Sequence, residues 1–234
     1  MKPRRFAVRF AGLVLALVLA ISCGGAPGSP SAEEILAAAD EAQHNAGTAH
    51  FDVDMKITIK AEGMTVDATA KYVGDIMEPD RFKGTIEASV MGENMTAEMV
   101  SIGNTTYTKD YSTTGTWETT TEEEAGWDPQ ELIPLKPEGF KDLKLVGEED
   151  LSGRPVYHVS GKVIVPLDLM EGVDVSTTFV QVNYWIDKET SHLLKGTMIG
   201  HGQATIEGTD TTVDLDITIF MSGYGEPVTI EPPL

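Results

Sequence analysis

Between Phe51 and Lys60 the chain alternates without a break. Phe51, Val53, Met55, Ile57 and Ile59 fall on one side, and Asp52, Asp54, Lys56, Thr58 and Lys60 on the other. A strict period of two predicts a long antiparallel strand with one dry and one wet face. Glu62-Gly63 reads as a turn, after which Met64, Val66, Ala68, Ala70 and Tyr72 continue the apolar side on a second strand. Phe82, Ile86, Ala88 and Val90 mark a third strand. Met95, Ala97 and Met99 mark a fourth beyond Gly92-Glu93-Asn94. Shorter strands are expected near Tyr107 and Trp117, then near 143–150, 154–165, 176–187, 192–206 and 211–222. The last again alternates, with Val213, Leu215, Ile217, Ile219 and Met221 on one side.

Ahead of these strands the period is that of a helix. Ser31-Ala32-Glu33-Glu34 forms a capping box, Ile35, Leu36, Ala39 and Ala42 share a face, and Gly47 ends the segment. Residues 111–140 fit neither period. They are Thr-rich, carry Glu122-Glu123-Glu124, and offer Asp128 as the cap of a short helix over 129–135. The expected fold is therefore mainly β with one or two covering helices (α+β), a curved antiparallel sheet of about 10–11 strands. Helices and strands do not alternate, which excludes a parallel α/β fold. Strands of 12–14 residues at about 3.3 Å each reach roughly 40 Å. A helix of 16 residues spans only about 24 Å. Loops must therefore complete the cover, or part of the apolar face stays open.

Composition narrows the function. Hydrophobic residues make up 41% of 234, enough for a real core, so wholesale disorder is excluded. Net charge is −20, and four bases (Lys2, Arg4, Arg5, Arg9) precede Cys23 with no acid among them. Without that leader 13 bases face 37 acids and the charge is −24. Such a chain is repelled by phosphate backbones, so nucleic-acid binding is excluded. The single cysteine leaves no intramolecular disulfide, Cys-based zinc site or CxxC pair.

Residues 1–22 carry a basic head and an apolar run from Phe10 to Ile21, the pattern of a signal peptide and too short for a comfortable membrane span. Ala20-Ile21-Ser22-Cys23 resembles a bacterial lipobox. That resemblance implies cleavage before Cys23 and its modification by diacylglycerol and further acyl chains such as palmitate. Two or three chains anchor stably where one is marginal. Residues 23–30 then read as the lipidated cysteine and a flexible tether, and 31–234 as a single domain.

Three further stretches carry a family resemblance. The segment 145–163 (LVGEEDLSGRPVYHVSGKV) resembles paired central strands with Gly153 in the turn. Segment 184–196 (YWIDKETSHLLKG) resembles a strand–turn–strand, and 224–233 (YGEPVTIEPP) resembles a closing segment, all of the LppX/LprG-type lipoproteins within the LolA-like superfamily. The resemblance covers most of 31–233 and contains no catalytic motif. It implies a half-barrel whose helices cover a lipid-accepting cavity, in a family that includes carriers of acylated lipids or glycolipids.

Chemistry is sparse. His44, His50, His158, His192 and His201 form no helical HxxxH pair, and no metal site is expected. Asp52/Asp54 and Asp214/Asp216 alternate with apolar residues and read as solvated pairs. No GxSxG elbow, P-loop or dinucleotide fingerprint is present, so neither catalytic residues nor a cofactor are expected. Met55, Met64, Met95, Met99 and Met221 with Ala68, Ala70, Ala88 and Ala97 favour a loose apolar cavity over a tight core. The lining expected is Phe51, Val53, Met55, Ile57, Met64, Val66, Tyr72, Phe82, Ile86, Val90, Met95, Met99, Leu215, Ile217 and Ile219. Trp117, Trp127 and the helix at 129–135 are candidates for its rim.

The expectation is a monomeric, lipid-anchored protein on the extracytoplasmic face of the cell membrane, or of an outer membrane in a two-membrane host. It binds, and in one version transfers, an acylated lipid or glycolipid. Two other readings remain at this stage. One is an envelope sensor that binds a partner protein through the 111–140 loop; the other is a passive lipoprotein with a filled core.

Overall fold

The computed structural model describes residues 28–112, 115–121, 133–164, 173–175, 179–206 and 209–233. The leader, Cys23 and most of the tether lie outside that set. One helix, α1 (Ala32–Ala46), opens the described chain. Its capping box is formed: the Glu34 amide donates to Ser31 Oγ at 3.2 Å, and the Ser31 amide donates to Glu34 Oε2 at 2.8 Å. Gly47 closes it in the left-handed conformation at φ 72°. The buried face is Ala32, Ile35, Leu36, Ala39 and Gln43. Its last member is therefore Gln43, with Ala42 only half-buried beside it.

Every strand expected from alternation is present. β1 (Thr48–Ala61), β2 (Met64–Met77), β3 (Arg81–Val90), β4 (Glu93–Ile102), β5 (Thr105–Asp110) and β6 (Trp117–Thr121) form an antiparallel meander. β7 (Phe140–Leu151), β8 (Arg154–Ile164), β9 (Val173–Val175), β10 (Phe179–Asp187), β11 (Leu193–Ile206) and β12 (Thr209–Ser222) follow. The order across the sheet is β6-β5-β4-β3-β2-β1-β12-β11-β10-β8-β7, with β9 paired to the end of β11. The sheet is open and curved, with β6 and β7 at its edges. The seam at its middle joins the first strand to the last, with Phe51 opposite Met221 and Val53 opposite Ile219. No helix among the described residues is long and apolar enough to cross a membrane, which leaves strand-built crossings unaddressed.

Three hairpins turn on two residues that both have positive φ: Glu62-Gly63, Met91-Gly92 and Ser152-Gly153. Such turns match the twist of the strands they join. The β3–β4 turn therefore lies one residue earlier than expected, and Glu93 and Asn94 already belong to β4.

The core lies between α1 and the inward face of the sheet. Leu36 and Ala39 meet Phe51, Val53, Ile219, Tyr184 and Val159 in one buried cluster. Ile133 and Leu135 join it, each 4% exposed. Of the helix expected over 129–135, residues 129–132 lie outside the described set. Ile133–Leu135 are not helical, and the helical turn comes later, as a 3-10 helix at Pro137–Gly139. The Tyr184 hydroxyl donates to the Pro134 carbonyl at 3.1 Å and ties this plug to the sheet.

Candidate functional site

Pairing aligns the inward residues into rows that run across the strands. One row reads Ile219, Val53, Tyr72, Ile86 and Ala97; the next reads Ile217, Met55, Ala70, Ala88 and Met95; a third reads Leu215, Ile57, Ala68 and Val90. All fifteen expected lining residues lie on this single face, because two-residue periodicity keeps one parity on one side.

Their burial differs with position. Phe51, Val53, Phe82, Leu215, Ile217 and Ile219 are buried in the cluster beneath α1. Met55, Ile57, Tyr72 and Met99 are half-buried against it. Val66 and Ile86 are also half-buried, farther out. Met64, Val90 and Met95 are exposed at 69%, 40% and 48%. The gradient follows geometry. α1 contacts β1, β7 and β8, while the hairpin-tip halves of β1 to β4 extend past it. Ile59 and Val213, on the same face and half-exposed, extend the apolar strip. They obey the parity that selected their neighbours.

The strip is shallow because its residues are small. Ala70 and Ala88 are direct cross-strand partners, and Gly74 and Gly84 are partners two rows nearer the helix. On the other half of the sheet, glycines make room for large side chains. A Cβ on Gly196 would lie 3.0 Å from the Tyr184 ring, and one on Gly161 2.8 Å from Phe140. Inward glycine lets a sheet bend tightly over its own aromatics. Neither these glycines nor Tyr184, Val182 and Val159 are among the lining residues expected from the sequence. Their spacing in register with the apolar parity was the available sign.

Burial raises the Tyr184 hydroxyl far above its ordinary range and Tyr72 more modestly. The outward face holds most of the strands' charges. Lys71 lies 3.0 Å from Asp52 and 3.7 Å from Asp54. Lys60 and His201 share Asp214, which they hold below the usual carboxylate range, His201 foremost. His158 stacks on Trp185 at 4.6 Å, and both donate to the Glu149 carboxylate. Two open grooves, of about 740 and 650 Å³, lie on this outward side. Trp117 lines the second; Trp127 lies outside the described residues.

The profile of the LppX_LprAFG lipoproteins matches residues 31–230. The chain belongs to the LppX_LprAFG lipoprotein family. No curated protein is significantly similar. Among solved structures, LprF from Mycobacterium bovis is similar at 20% identity and a TM-score of 0.52, over 88% of this chain and 99% of that one. LppX from Mycobacterium tuberculosis aligns at 13% identity and 0.44, over 84% and 98%. The LolA superfamily protein NE2245 from Nitrosomonas europaea aligns at 10% and 0.28, over 87% and 96%. The likeness to LprF supports the fold of this LppX_LprAFG chain.

Proposed function

We propose that this lipoprotein, anchored through Cys23 after loss of residues 1–22 and tethered by residues 23–30, binds an acylated lipid or glycolipid against the inward face of a single domain at 31–234. It acts without covalent chemistry, as a monomer on the extracytoplasmic face of a membrane. The observation that carries the reading is the apolar strip beyond the reach of α1. Met55, Ile57, Ala68, Ala70 and Ala88 stand half-exposed there, next to the buried cluster beneath α1. Burying acyl chain on it gains about 0.8 kcal/mol per methylene, so ten methylenes give roughly 8 kcal/mol before ordering costs. Little polar recognition is then required, in keeping with the lack of a polar motif in the sequence.

The test is native mass spectrometry of the full chain, purified from bacterial membranes and released from detergent micelles in the instrument. The expected result is an adduct of lipid mass beyond the covalent anchor, removed by organic extraction. A chain that carries no such adduct, and takes up none from lipid-doped micelles, would overturn lipid binding and leave partner recognition or a purely structural role.

A further inference from the structure

The placement of positive charge narrows the ligand further. Every lysine and arginine on a strand lies on the outward face. Lys56 and Lys60 alternate with Met55 and Ile57, Lys83 with Phe82, Lys162 with Val163, and Lys195 sits beside inward Gly196. Many are engaged there, as in Lys71 with Asp52, Lys162 with Asp142 and Arg154 with Asp187. Lys136 and Lys188 lie in connections, and Lys188 contacts Glu148. The segments beyond residue 30 that lie outside the described set contain Glu122, Glu123 and Glu124 and not one lysine or arginine. All basic residues of the mature chain are thus accounted for, and none lies on the inward face of a strand.

The inward face offers hydroxyls instead. Past Met99 and Ala97, its parity on β4 to β6 runs through half-buried Thr106 and Thr108 and exposed Thr120, with Asp110 and Glu118 beside them and Ser101, 4% exposed, buried behind them. Ser101 Oγ and Thr106 Oγ1 lie 3.3 Å apart. Hydroxyls both donate and accept, and carboxylates accept, so this stripe matches glycerol or sugar hydroxyls and ester carbonyls. A phosphate brought to the same place finds no cation, meets two carboxylates, and enters the field of a chain at −20 overall.

Resting on the lipid-binding reading, we infer that the face selects acyl lipids with an uncharged, hydroxyl-bearing head and discriminates against phosphate-bearing ones. The acyl chains lie along the strip on β1 to β3, and the head lies toward β5 and β6.

The test uses the full chain in detergent micelles doped with equal amounts of dioleoylglycerol, dioleoyl phosphatidic acid and dioleoyl phosphatidylglycerol. Native mass spectrometry compares the three adducts, whose acyl chains are identical. The expected result is a dioleoylglycerol adduct at least tenfold above either phospholipid. A variant, Thr108→Lys, puts a cation on the inward face of β5 and is expected to raise the phosphatidic acid to dioleoylglycerol ratio about tenfold. Equal uptake of either phospholipid by the unaltered chain, or an unmoved ratio in Thr108→Lys, overturns the selectivity while lipid binding stands. No adduct from any of the three overturns the lipid-binding reading itself, and the selectivity with it.

Discussion

Gly74 and Gly84 face one another across β2 and β3, and neither has room for a methyl group. A Cβ on Gly74 would sit 2.3 Å from the Lys83 carbonyl oxygen, and one on Gly84 would sit 2.7 Å from the Val73 oxygen. Both obstacles are backbone, which cannot swing aside as a side chain does. Gly74→Ala and Gly84→Ala are each expected to lower stability by about 2–3 kcal/mol. Gly147→Ala, where a Cβ meets nothing within 4 Å, should stay within about 0.5 kcal/mol. Urea unfolding midpoints of the three variants decide the matter.

Removing the Tyr184 hydroxyl tests the plug. Tyr184→Phe keeps the buried ring but leaves the Pro134 carbonyl without its donor. The expected loss is about 1–2 kcal/mol. Faster proteolysis between Thr121 and Phe140, the connection that holds the plug, should accompany it. Unchanged stability and unchanged cleavage would mean that Ile133 and Leu135 hold themselves in place.

Filling the strip tests the lipid site without touching the core. Ala70→Trp and Ala88→Trp place large rings where two alanines now oppose each other at half-exposed positions. Co-purified lipid is expected to fall at least fivefold, with the circular dichroism spectrum preserved. Full lipid occupancy in both variants would place the ligand elsewhere.

His192 makes stability depend on pH in a definite direction. Its ring stacks on Tyr224 at 4.0 Å, and burial holds its pKa below the ordinary histidine value, against the opposing pull of Asp187. Between the two pKa values the unfolded chain binds the proton that the folded chain refuses. The contribution of His192 is therefore complete above about pH 6.5 and declines as pH falls toward its folded value. His192→Gln should flatten the fall in unfolding midpoint between pH 7.5 and 5.5 relative to the unaltered chain. Equal slopes would show that His192 does not carry it.

The anchor has its own test. Cys23→Ser should move the protein from the membrane pellet to the soluble extracytoplasmic fraction once residues 1–22 are lost, since no polybasic run follows Cys23 to hold it on lipid. Persistence in the pellet after a salt wash would point to a different attachment.

Much of this architecture was legible in the residues. Strict alternation located β1, β2 and β12 to within a few positions and put Phe51, Met55, Ile217 and their neighbours on one face, since a period of two leaves no choice of side. Ser31 and Glu34 announced the helix start because a capping box is wholly local. What alternation does not encode is depth. Val53 and Val90 look alike in sequence, yet α1 shields one and leaves the other exposed. Nor does a local pattern reveal that Ile133 and Leu135, in a stretch without periodicity, drop into the core against Tyr184. Gln43 replaced Ala42 on the buried helix face for a similar reason, because the rotation of a helix against a sheet is fixed by packing.

The seam between β1 and β12 sets a constraint on how the chain folds. β1 to β6 form hairpins with near neighbours and can assemble in order of synthesis, as can β7 and β8. The centre of the sheet cannot close until the C-terminal strand arrives to lie between β1 and β11. Loop-closure entropy makes such distant pairings slow. Until then the backbone N–H and C=O groups along one edge of β1 stand unpaired. A chain truncated before Thr209 would keep most of its hairpins yet expose that edge permanently, a template for aggregation. Late closure also keeps the polypeptide open during synthesis, the state required of any chain that is threaded through a membrane before it folds.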